Sequence, residues 1–198
     1  ASRLPLAVGP DHLTALGLLA LALAGVCYGA ASRWPAAILL VNLCLAVNWF
    51  GDSLDGTLAR FRNQQRPRYG FYVDHMVDSF GALFVLGGLA CSGLMSERVA
   101  LALLIAFLLL SIDSYLAAYT RGRFQLSFWI FSPTELRILL AIGNVYAYMK
   151  PSIHFGGEER SFFDVGGTIG AGAMVIVLLC SVARNTQALY AEERIVKH

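Results

Sequence analysis

Two runs decide how the chain is read: Asp52-Ser53-Leu54-Asp55-Gly56-Thr57-Leu58-Ala59-Arg60, and Gly70-Phe71-Tyr72-Val73-Asp74-His75-Met76-Val77-Asp78. Both lie in apolar segments long enough to cross a bilayer. Four carboxylates near membrane depth are very costly unless they are paired, hydrated or bound to a cation. On a helix, Asp52 and Asp55 are i, i+3 neighbours, and Gly56, Ala59 and Arg60 continue that face. Asp74 and Asp78 are one turn apart, with Gly70 one turn earlier. Two antiparallel helices joined by residues 61–69 can aim all four carboxylates into one pocket. Such hard oxygen ligands suit Mg²⁺ or Mn²⁺ better than zinc. Four are more than one divalent ion needs, so the pattern accommodates two ions. Gly56, Ala59 and Gly70 leave the facing surfaces without bulk, so a flat ring or a diphosphate can approach the backbone. Arg60 is the cation of the pattern, and its planar fork suits a phosphate. A small-residue packing seam alone does not call for four acids.

The rest of the composition agrees with a membrane setting. The 198 residues are 57% hydrophobic and 14% charged, with mean hydropathy +0.62. That charged fraction is well below that of a soluble domain. A net charge of +2 gives no reason to expect a nucleic-acid partner. The first apolar segment lacks a small-residue cleavage site and more spans follow, so it reads as a span and not a leader. Cys27, Cys44, Cys91 and Cys180 all fall in apolar segments without a CxxC and read as packed thiols.

Six spans are expected, at roughly 12–31, 35–60, 70–95, 98–120, 132–149 and 164–186. The fold class is therefore all-α: a polytopic membrane protein forming one domain over residues 1–198, with a short surface segment at 1–10. With the N-terminus in the cytoplasm, the inner segments hold Arg3, Arg62, Arg66, Arg68, Arg121, Arg123, Arg184, Arg194 and Lys197. The outer ones hold Arg33, Arg98, Lys150 and Arg160. The excess of basic residues inside places both termini, and the site between the second and third spans, on the cytoplasmic side.

Several residues admit two readings. Arg62, Arg66 and Arg68 suit anionic headgroups or a substrate phosphate. Asp113, inside the fourth span, is either functional or an internal hydrogen-bond partner. Arg137, just inside the fifth, either pairs with an internal carboxylate such as Glu135 or Asp113 or faces a polar cavity beside the Asp cluster; the cavity is preferred. Ser132, Pro133 and Glu135 resemble a helix start. Residues 150–163 read as a polar external loop, and Gly166-x3-Gly170 as a packing pattern. His75 reads first as a satisfied histidine.

The pattern Asp52-x2-Asp55-Gly56-x2-Ala59-Arg60-x9-Gly70-x3-Asp74-x3-Asp78 resembles the signature of the CDP-alcohol phosphotransferases, with every fixed position present. The resemblance implies an integral membrane enzyme of phospholipid biosynthesis, a homodimer, that transfers a substituted phosphoryl group from a CDP-linked donor to an alcohol or lipid acceptor and releases CMP. It implies that Asp52, Asp55 and Asp74 bind one Mg²⁺ or Mn²⁺ ion and that Asp52, Asp74 and Asp78 bind a second. Asp78 is then the general base, Arg60 holds a diphosphate oxygen, and Gly56, Thr57, Ala59 and Gly70 line the cytidine slot. Arg121, Arg123 and Arg137 could furnish an acceptor pocket. Pro10-Asp11-His12-Leu13-Thr14 partly matches a Pro-Asn and Thr pattern of the family, with Asp11, which also suits a helix cap, in place of Asn. Two substrate readings stay open: CDP-choline or CDP-ethanolamine with diacylglycerol, or CDP-diacylglycerol with a polar alcohol. Outside the class stands an ion or proton transporter using the same carboxylates. The location implied is a bacterial inner membrane or its equivalent.

Overall fold

The computed structural model describes residues 4–5, 7–121 and 133–193. They form six α-helices and one β-hairpin, in the order α1 (Pro10–Ala30), α2 (Ala37–Phe61), α3 (Pro67–Cys91), α4 (Glu97–Arg121), α5 (Pro133–Met149), β1 (Ser152–Phe155), β2 (Glu158–Ser161) and α6 (Phe162–Glu192). Five of these helices are long and apolar enough to cross a membrane. At the expected fifth span, α5 has 17 residues within the described ones, with the apolar part Leu136–Met149; residues 122–132, just before it, lie outside the described residues. The sixth is longer than expected, because helical geometry continues through the charged tail to Glu192.

Local chemistry sets the helix ends around the site. Pro10 opens α1, and the Gly9 amide donates to His12 Nδ1 at 2.9 Å. The start at Pro10 places Asp11 inside the first turn, so the cap expected of Asp11 is at Gly9 instead. α2 ends where Asn63 takes a left-handed φ of 54°, which asparagine tolerates better than most side chains. Pro67 then opens α3.

Small residues allow the helices to approach. A Cβ on Gly88 of α3 would lie 2.2 Å from the Gly25 carbonyl oxygen of α1, and one on Gly51 of α2 would lie 2.6 Å from the Leu13 carbonyl oxygen. Only glycine permits backbones this close, and packing of this kind replaces the hydrophobic drive that lipid does not supply. A buried polar chain then ties α1, α2 and α5 together. Tyr28 Oη donates to Asn144 Oδ1 at 2.6 Å, and Asn144 Nδ2 donates to Asn42 Oδ1 at 2.8 Å. Asn42 Nδ2 donates in turn to the Ala141 carbonyl at 3.1 Å. α6 packs on α4 through Gly167, which meets Val99 and Leu103. Gly170 also faces Leu103 while Gly166 faces open space, so the expected packing pattern is shifted by one residue to Gly167 and Gly170.

The loop expected at 150–163 is instead an antiparallel hairpin, pairing Ser152 with Ser161 and Phe155 with Glu158. Its turn is Gly156-Gly157, with φ of 64° and 85°, the pair of positive φ values that a tight hairpin turn requires. Large apolar side chains such as Leu19, Leu23, Val26, Ile176 and Leu179 point outward. A surface of this kind suits lipid as its solvent.

Candidate active site

The C-terminal half of α2, the N-terminal half of α3 and the first turns of α1 enclose a cleft of about 300 Å³. Asp52, Asp55, Gly56, Ala59, Gly70 and Asp74 line it, as the spacing of the two runs predicts. Pro10, Asp11 and Thr14 of α1, with Gln64, Arg66 and Tyr69, complete the wall. Gly70 leaves open space where a side chain would stand, so the cleft reaches the α3 backbone there.

Asp78 is not on this wall. It is grouped one turn further along α3 with Asp74 and His75, where one ligand atom from each lies within 4.8 Å of the others. Asp74 thus belongs both to the cleft and to the deeper group. Thr57 and Arg60 are exposed and lie outside the lining: Thr57 Oγ1 donates to the Ser53 carbonyl at 3.1 Å, and Arg60 Nη2 donates to Thr57 Oγ1 at 3.3 Å.

Two carboxylates are held by partners from other helices. Thr14 Oγ1 of α1 donates to Asp55 Oδ2 at 2.7 Å, and the Gly56 amide donates to Asp55 Oδ1 at 2.5 Å. Both oxygens of Asp55 are therefore oriented by neutral donors. Arg137 Nη2 of α5 donates to Asp52 Oδ2 at 2.7 Å. Arg137 thus pairs with an acid, the first of the two readings, and that acid is Asp52 of the Asp cluster.

His75 is buried. Its ring stacks on Tyr115 of α4 at 4.5 Å with the planes 13° apart, and Phe71 lies 4.2 Å away. Asp113 accepts a hydrogen bond from Ser181 of α6 at 2.5 Å. Asn185 Nδ2 donates to Ser181 Oγ at 3.3 Å, and Arg121 donates to Asn185 Oδ1 at 3.0 Å, so Asp113 and Arg121 join one polar seam between α4 and α6. Arg123 and Ser132 lie outside the described residues.

The basic loop has a structural task beyond those foreseen for it. Arg62 donates to the carbonyls of Val8 at 2.6 Å, Pro5 at 3.0 Å and Leu4 at 3.2 Å, fastening the N-terminal segment over the end of α2. Arg66 pairs with Asp11, which pushes the guanidinium pKa up, and lies 4.1 Å above the Tyr69 ring. Residues not foreseen as site components are Thr14, Tyr115 and Asp11, the last as the partner of Arg66. Thr14 and Asp11 carried a signal, being polar residues at the mouth of an apolar helix; Tyr115 carried none beyond its proximity to Asp113 in sequence.

The donor set fits a hard divalent cation. Asp74 and Asp78, with the His75 ring, form the group close enough for one ion, while Asp52, paired with Arg137, and Asp55 offer oxygens on the adjoining cleft wall. Carboxylates this close disfavour one another's charge unless positive charge is supplied.

The CDP-alcohol phosphatidyltransferase family model matches residues 7–183, and the chain belongs to that family. The archaetidylinositol phosphate synthase of Pyrococcus horikoshii is 32% identical over 122 residues, 62% of this chain and 58% of that protein. The chain therefore aligns with less than two thirds of that relative's length.

Proposed function

We propose that this chain is a single membrane domain, working as a homodimer, that transfers a phosphatidyl-type group from a CDP-linked lipid to a polar alcohol already carrying a phosphate. CMP is the leaving group. The observation that carries the transfer reaction is the family signature folded around one cleft, with Asp52, Asp55 and Asp74 on its wall and Asp78 beside Asp74. The phosphorylated acceptor is supported by the name of the Pyrococcus relative and by Arg137, whose guanidinium reaches the cluster from α5.

Asp52, Asp55, Asp74 and Asp78 would hold one or two Mg²⁺ or Mn²⁺ ions, which supply charge for the diphosphate and polarise the phosphorus. The remaining chemistry belongs to the chain. Gly56, Ala59 and Gly70 leave room for the cytidine ring beside the backbone. Thr14 keeps Asp55 in one orientation. Arg66 at the mouth offers donors to the diphosphate on exchanging its Asp11 partner. An Asp78 carboxylate oxygen takes the proton from the acceptor hydroxyl as that oxygen bonds to the lipid-bearing phosphorus, and the bond from phosphorus to CMP breaks. The cleft is read as opening toward the cytoplasm, the side to which the sequence assigns most of the Lys and Arg of the inter-span segments.

The test is a panel in detergent: CDP-diacylglycerol or its archaeal ether counterpart with glycerol phosphate, inositol phosphate or free inositol, and CDP-choline with diacylglycerol. CMP release is measured with Mg²⁺ and after exhaustive chelation. Release only with a CDP-lipid, a phosphorylated alcohol and metal is the expected result. Release with CDP-choline and diacylglycerol would sink the acceptor reading, and full release after chelation would sink the metal site. No CMP from any pair would favour a transporter.

A further inference from the structure

Arg137 enters the carboxylate cluster from α5, an element outside the two runs that carry the four acids. Its side chain is 15% exposed and that of Asp52 is 36% exposed. A guanidinium cannot shed its proton, so at this depth it needs an anion. It has one in Asp52 Oδ2 at 2.7 Å. Asp55 differs in kind: its hydrogen bonds come from the neutral Thr14 hydroxyl and Gly56 amide, not from a guanidinium. A divalent cation at Asp52 would draw on the same carboxylate, and two cations sharing one carboxylate repel each other.

We propose that Arg137 is a built-in counter-cation of the cluster: it neutralises Asp52 while no metal is bound, and it gives up that contact as a divalent cation is taken up. This rests on reading the four aspartates as metal ligands. Two effects follow. The metal-free protein keeps α5 seated on α2, where the only other polar tie between these helices among the described residues is made by Asn42. The metal affinity is lower than four unopposed carboxylates would give. A guanidinium released in this way has donors free for a substrate oxygen, so metal precedes the anionic substrate.

The experiment measures Mn²⁺ binding without substrates, from the paramagnetic resonance signal of free Mn²⁺, together with thermal unfolding in EDTA. Arg137→Gln should bind Mn²⁺ about tenfold more tightly at low salt, since a nearby like charge is gone, and should melt earlier in EDTA. Arg137→Lys keeps the charge and should bind Mn²⁺ within about threefold of the wild type. In the unaltered protein, a dicarbonyl reagent should modify Arg137 faster with Mn²⁺ present than in EDTA, as read by mass spectrometry of the peptide. That last measurement needs no variant to fold. Wild-type Mn²⁺ binding with no tightening in Arg137→Gln overturns the counter-cation role and leaves the metal site standing. Equal tightening in Arg137→Lys, or slower modification with Mn²⁺, also overturns it. No Mn²⁺ binding by the wild type overturns the metal site and this role together.

Discussion

Asp78 and Asp52 occupy different parts of the cluster, and that difference is measurable. Asp52 lines the cleft and carries the ion pair with Arg137; Asp78 lies outside the lining, grouped with Asp74 and His75. Asp78→Asn keeps size and removes the proton acceptor, so turnover should fall by about 10²- to 10⁴-fold while CDP-donor binding largely survives. Asp52→Asn should lose both. Isothermal titration with the CDP-donor beside a CMP-release assay separates the two, and equal loss of binding would make Asp78 chiefly a ligand. At this scale the sequence was most legible in the acids, whose spacing alone puts them on facing surfaces. It was least legible in their partners. Thr14 lies 41 residues from Asp55, and Arg137 lies 85 from Asp52. Those pairings depend on which helices become neighbours, and helical periodicity carries no such information. Arg60 shows the converse: it is fixed in the signature, yet its side chain lies beside Thr57 on the exposed face of α2.

Between elements, adjacent glycines of α3 have opposite surroundings. A Cβ at Gly88 would lie 2.2 Å from a backbone oxygen of α1, whereas Gly87 has nothing within 4 Å. Gly88→Ala should therefore destabilise the fold by about 1–3 kcal/mol, because backbone must shift to admit the methyl group. Gly87→Ala should leave the melting temperature in detergent unchanged or raised, since alanine is the better helix former. Equal melting of the two variants would mean that the α1–α3 crossing is looser than its geometry implies. Helix number and order were legible from apolar run length. The hairpin at 152–161 was not read, although Gly156-Gly157 is the signal for it; its strands are four residues each, too short for alternation to stand out in a polar stretch.

For the molecule as a whole, the proposed cytoplasmic opening of the cleft can be tested at Gln64. Gln64 is exposed and lines the cleft wall. With the native thiols replaced by alanine, Gln64→Cys in intact cells should resist an impermeant maleimide and react after permeabilisation. A CDP-donor should then slow the reaction. Labelling of intact cells would invert the orientation.

The shortness of α5 reaches beyond the protein into the bilayer. Its 17 described residues rise about 25 Å, against a hydrocarbon core of about 30 Å. Its side chains Ile138, Leu139 and Ile142 are exposed; with α5 read as the fifth span they would face lipid, and the leaflets beside it would thin to match. Such a dimple would adjoin Arg137 and the carboxylates. A lipid donor whose diphosphate must reach that depth travels a shorter way where the membrane is already drawn in. Hydrophobic mismatch then tunes the enzyme: in vesicles, turnover should fall as the host acyl chains lengthen from myristoleoyl through oleoyl to erucoyl. Extending α5 by one apolar turn near Met149 should flatten that dependence, and a flat profile in the unextended protein would show that thickness has no part in donor access.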